Sequence, residues 1–261
     1  MLLDIHTHAY HPKISDKVLT MLEDHYGIHP VGTGQMDDLI VRAKRAGLDK
    51  VVVHSAATTP AQVVPANNWA IRIHREHPEV LSFGTVHPDY PGNERELERL
   101  WRSGIQGIKL HADFQGFRLD DPKLCPIFES LSGRFVVMLH VGDRLPPEQN
   151  NSCPAKVAAI VRDFPNLTVI AAHMGGYLHW QYALEHLIGK DVYIDTSSTL
   201  AFIDDDTLRR IFDGHPRDRI LFGSDYPLFD PGEEIVRLRT RLSLRDKELE
   251  QLLSTGASLF R

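Results

Sequence analysis

The chain has 261 residues, close to the roughly 250 typical of a single (β/α)8 barrel, and is 42% apolar and 25% charged, as an ordinary globular protein is. Its net charge of −6, with basic residues dispersed even around Arg237 to Arg245, argues against nucleic acid or an anionic membrane as a partner. No stretch approaches the length of a membrane span and the opening residues carry no basic leader, so a cytoplasmic location is the expectation. Cys125 and Cys153 fit no Cys-x-x-Cys pattern and read as free thiols.

In chain order, Leu2 to His8 is a first strand ending in His6-Thr7-His8. Ala9 to Gly34 follows, a long connection with a short helix expected over Ile14 to Tyr26, which reads as a lid or pocket wall or as an inert insertion. Met36 to Ala46 has helical apolar spacing and is stopped by Gly47. Seven further strands are expected at Asp49–His54, Val80–His87, Ile105–His111, Phe135–His140, Leu167–His173, Asp191–Asp195 and Arg219–Asp225. Between them lie helices at Asn67–His77, Glu94–Ser103, Pro122–Leu131, Pro154–Phe164, Tyr177–Ile188 and Asp206–Phe212, with Glu233–Leu242 and Asp246–Leu253 at the end.

Eight short apolar strands alternating with helices point to a closed parallel α/β barrel, a (β/α)8 TIM barrel, forming one domain over 1–261. An open doubly wound sheet would place a Gly-x-Gly-x-x-Gly loop after the first strand, where this chain has His6-Thr7-His8. In a barrel the C-terminal strand ends share one mouth, so His6, His8, His140, His173 and Asp225 converge despite their distance in sequence. Imidazoles with a carboxylate suit a divalent ion that leaves a position open for water.

Several segments carry a family resemblance: His6-Thr7-His8, Met138-Leu139-His140-Val141-Gly142, Ala171-Ala172-His173-Met174-Gly175-Gly176 and Phe222-Gly223-Ser224-Asp225-Tyr226-Pro227. Together they resemble the amidohydrolase superfamily, in particular the amidohydrolase-related branch that includes aminocarboxymuconate semialdehyde decarboxylase and related decarboxylases and lactonases. Ser254 to Phe260 resembles that branch's closing segment, with departures at Ser254, Thr255 and Ser258.

The resemblance implies that His6, His8, His140 and Asp225 hold one divalent metal, most often zinc, with His173 as the acid/base or polarising residue and Asp225 as the group that takes a proton from water. Lys109 is either a carboxylated bridge between two ions, with His140 and His173 on the second, or a lysine that donates to substrate or neutralises a buried acid such as Asp4. The second option is favoured because the branch is mostly mononuclear. His111 and Arg144 are candidate substrate contacts, whereas His54 and His87 read as loop histidines. The leading activity is hydrolysis of an ester, lactone or amide of a small organic molecule, and the competing one is non-oxidative decarboxylation of a small carboxylic acid. A metal-binding module without catalysis is the third reading. A homo-oligomer is possible on sequence, Trp180-Gln181-Tyr182 being equally at home in a contact or in the core.

Overall fold

The computed structural model describes residues 1–260. Eight parallel strands run β1 (Leu3–Thr7), β2 (Lys50–Val53), β3 (Val80–Thr85), β4 (Gly107–Leu110), β5 (Val136–Leu139), β6 (Thr168–Ala171), β7 (Tyr193–Asp195) and β8 (Ile220–Leu221), each paired with the next in sequence order. Closure comes from β1 against the β8 segment, where Ile5 N–H donates to Phe222 O at 2.9 Å and Thr7 bridges Tyr226. The result is the (β/α)8 barrel expected from the alternation.

Surrounding helices are α1 (Ser15–Tyr26), α2 (Met36–Arg45), α3 (Val63–Glu76), α4 (Asn93–Arg102), α5 (Ala112–Gln115), α6 (Cys125–Leu131), α7 (Pro154–Asp163), α8 (Trp180–His186), α9 (Asp205–Gly214), α10 (Pro231–Leu242) and α11 (Asp246–Thr255). The expected α3 gains a turn at its start, α8 begins three residues late, and the four-residue α5 has no apolar periodicity long enough to read. Cys125 and Cys153 are both free. No helix among the described residues is long and apolar enough to cross a membrane.

Two apolar layers hold the barrel. Outward-facing strand residues such as Val53, Ile108, Val137 and Ile194 pack under the helices. Inside, Leu3, Ile5, Val52, Phe83, Val136, Met138, Ile170 and Leu221 form a separate cluster, with Leu259 and Phe260 from the chain's end packed on it. Gly107 makes room for Phe83, since a Cβ there would lie 2.1 Å from its ring. Burying such a ring contributes about 1.5–3 kcal/mol, so this interior is a packed core that closes the barrel below the mouth. Trp180 belongs to the core as well: it is buried and its indole donates to His173 O at 3.1 Å.

A candidate metal centre at the mouth of the barrel

Strand β1 does not alternate in the way a regular strand would. Leu3 and Ile5 face the barrel interior, and the pairing with β2 shifts register between Asp4 and Thr7, which turns His6 inward directly after Ile5. Asp4 is therefore not on the face of His6 and His8 and does not meet Lys109. One of its oxygens accepts from His6 N–H and Ser224 N–H, the other has no partner, and burial pushes the carboxyl up to about 7. Gly223 is needed beside the bulge, because a Cβ there would stand 2.7 Å from that of His6.

His173, Ser198 and Asp225 lie just past their strands with φ of 63°, 45° and 64°, a left-handed conformation that costs a non-glycine residue about 1–2 kcal/mol. Such strain persists only where surrounding bonds enforce it. Here Asp195 accepts from the His173 amide at 3.2 Å, and the Asp225 amide donates to His6 O at 2.8 Å.

Hydrogen-bond partners assign the imidazole tautomers. The carboxylate of Asp195 accepts from His6 Nδ1 at 2.9 Å, and the carbonyl of His54 accepts from His8 Nδ1 at 3.1 Å. Neutral rings held this way present their Nε2 lone pairs to Asp225 Oδ1, 3.6 Å from His6 and 3.2 Å from His8. Asp225 Oδ1 thus faces a ring acceptor on each side. Two donors each about 2.0–2.1 Å from a tetrahedral ion stand about 3.3 Å apart, so each imidazole–Asp225 separation suits a shared divalent cation.

A second chain of bonds reaches His140. Ser197 O accepts from His173 Nδ1 at 3.0 Å, so neutral His173 accepts at Nε2 from His140 Nδ1, 2.9 Å away. His140 Nε2 is then a buried lone pair without any partner. Ser197 Oγ joins the halves, lying 3.0 Å from His6 Nδ1 and donating to Asp195. His140 is thereby tied to the His6, His8 and Asp225 group through His173 and Ser197, while its own close ring neighbour is His111, stacked at 3.7 Å. Compact donor groups occur at His6/His8/His54, His6/His173/Asp195 and His111/Asp113/His140, so His140 groups with His111 and Asp113 and not with His6 and His8.

Burial lowers the pKa of His6, His140, His173 and His111, which favours the neutral, ligating form. Burial acts the other way on Asp225; His6, His8 and His173 lower its carboxyl below the usual range to the extent that they carry a proton. Lys109 lies 3.3 Å from His6 Nε2, and burial brings its ammonium down to about 8.

All of His6, His8, Lys109, His111, His140, His173 and Asp225 line one cavity of about 1180 Å³. The helix expected between Ile14 and Tyr26 forms part of its wall, anchored where Asp143 accepts from His25 at 3.0 Å. Arg144 does not reach the cavity: it is exposed, and its guanidinium lies against Gly27. His54 is buried, against expectation, with its ring 4.8 Å from His6, yet it donates to Ile5 O and does not line the cavity. His87 is buried too, 3.2 Å from Gln115 O. Sequence reasoning missed Asp195, Ser197, Ser198 and Tyr26. Asp195 could have been found, because it ends the seventh strand just as Asp225 follows the eighth. The Tyr26 hydroxyl accepts from His111 Nε2 at 3.3 Å, a contact between segments that no local pattern connects.

Several solved structures share this fold. The 5-carboxyvanillate decarboxylase of Sphingomonas paucimobilis superposes with a TM-score of 0.71 at 15% identity, covering 100% of this chain and 98% of that one. A protein from Pseudomonas putida assigned as a 2-pyrone-4,6-dicarboxylic acid hydrolase gives 0.69 at 16%, covering 99% and 97%. The 5-carboxyvanillate decarboxylase of Novosphingobium aromaticivorans, which contains bound manganese, gives 0.68 at 15%, covering 100% and 97%. At these identities the likeness concerns the fold. No curated protein matches the chain. The family model for amidohydrolases, however, matches residues 3–257, and the chain belongs to that amidohydrolase family.

Proposed function

We propose that this chain is a metal-dependent enzyme that removes carbon dioxide, without oxidation, from a small carboxylic acid. The observation that carries the reading is the meeting of His6 Nε2, His8 Nε2 and Asp225 Oδ1 with a buried lysine beside them. The donor set suits one divalent ion, with zinc favoured by imidazole and carboxylate ligands and His140 offering its unpartnered Nε2 as the remaining ligand. When bound, the ion would supply an electrophilic anchor for a substrate oxygen.

Lys109 adds an ammonium that can pair with a substrate carboxylate. As the bond to the carboxyl carbon breaks, its electron pair stays on the substrate carbon, which must then receive a proton. Asp225 and His173 both line the cavity and are proposed to help pass that proton from solvent to the carbon. His111 is a proposed substrate contact. Arg144 is not retained in that role, since it stands outside the cavity. Decarboxylation stands ahead of hydrolysis because Lys109 offers a carboxylate partner and because the similar structures include named decarboxylases.

Hydrolysis of an ester or lactone is the second reading, favoured by the ionised state of Asp225, which suits a base that takes a proton from water, and by the hydrolase among the similar structures. The deciding experiment incubates metal-loaded protein with aromatic and muconate-like acids while measuring carbon dioxide, and with lactones and amides while measuring released acid. Carbon dioxide release abolished by Asp225→Ala is the expected result. Acid release alone would put hydrolysis first, and silence on both panels at full metal occupancy would sink the enzymatic reading.

A further inference from the structure

Helix α1 carries its apolar residues on the wrong side for a core helix. Val18, Met21 and Leu22 recur at helical spacing, with Ile14 one turn earlier, and all four line the cavity, beside Lys17, Thr20 and Asp24 of the same helix, instead of joining the barrel's outer layer. Ile14 and Met21 are 48% and 41% exposed. Trp69 of α3 and Phe114 of α5 line the same cavity. An apolar stripe facing water is unfavourable by about 25 cal/mol for each Å², and the cost is recovered only when something apolar covers it.

The size of the space points the same way. A cavity of about 150 Å³ accommodates benzene and pockets for drug-sized ligands span about 300–1,000 Å³, so the roughly 1180 Å³ here exceeds what a single-ring acid fills. The strand-end ligating groups sit in this same continuous cavity, so a molecule held by its carboxylate there has its remainder against the α1 stripe.

Resting on the reading of the mouth as an ion site, we propose that the substrate carries an extended apolar arm, an alkyl chain or a second ring, that lies between α1 and Trp69 while its carboxylate is held at the strand ends. Val18, Met21 and Trp69 then determine specificity for arm length.

The test is calorimetric titration of straight-chain carboxylates, acetate to decanoate, into metal-loaded full-length protein, with tryptophan quenching as a second readout. Affinity is expected to rise about threefold to fourfold per methylene over the chain lengths the groove covers. Met21→Asp, a change at an exposed position, should flatten the series, and Val18→Trp should cut it off at a shorter chain. A wild-type series with no dependence on length, or one unchanged in both variants, overturns the proposal while leaving the ion site standing. A length dependence that persists in metal-free protein supports the arm site and removes the ion as its anchor. If no carboxylate of any length binds, both readings fall.

Discussion

The two ends of the barrel are built from the same strands and on opposite principles. Below, Leu3, Phe83, Val136 and Leu221 close the interior as an apolar cluster with Phe260 over them. Above, within a few residues on the same strands, His6, His140, His173 and Asp225 crowd acceptors together and the backbone turns left-handed at His173 and Asp225. The lower end holds the fold; the upper end is held in an unfavourable arrangement by it. Substitutions at the two ends should therefore separate stability from activity.

The largest separation is expected at Asp225→Ala. Activity should fall by about 10³-fold or more, as for loss of a group that both ligates and moves protons, while the melting temperature of metal-free protein should change by only a few degrees. A steady-state assay beside a thermal scan checks this, and a collapse of stability would erase the contrast. Phe83→Ala should do the reverse, lowering unfolding free energy by about 3–5 kcal/mol in denaturant titration, with metal content per folded chain unchanged.

Lys109 sharpens the comparison through pH. Burial depresses its ammonium to about 8, below the usual lysine range, so the folded state releases its proton first and the unfolded chain binds more protons between there and the ordinary lysine value. Metal-free protein should thus gain stability as pH rises from about 8 to 10.4, on the order of 3 kcal/mol, and lose it as pH falls back through 8. In Lys109→Met that slope should vanish; an equal slope in both proteins would show that the amine is not desolvated. Smaller still, Asp195→Asn should weaken metal affinity about 10–100-fold by freeing His6 to turn, measured by competition with a chelator. Unaltered affinity would mean that the Asp195 contact does not orient the ligand.

The lower end was almost wholly legible in the sequence. Its strands are short apolar runs closed by glycine, proline or charge, and all eight fall inside the spans expected of them. The upper end was legible in residue type and less so in geometry. Imidazoles at strand ends announced themselves, but the bulge that turns His6 inward and Asp4 outward has no signature in Leu3-Asp4-Ile5-His6. Asp195 escaped because its partner His6 is 189 positions away, and left-handed His173 and Asp225 are visible only once their amides are seen to be captured. Arg144 shows the converse: nearness to β5 in sequence did not place its side chain among the cavity-lining residues.

His6 and His8 present lone pairs to the Asp225 carboxylate, and His140 keeps a buried lone pair unpartnered; one divalent cation would reconcile them. Elemental analysis of purified wild-type, His8→Ala and His140→Ala proteins tests it most directly. One divalent ion per wild-type chain and marked loss in both variants are expected. A wild-type chain that takes up no ion when divalent metal is supplied, or variants that retain it undiminished, would contradict it.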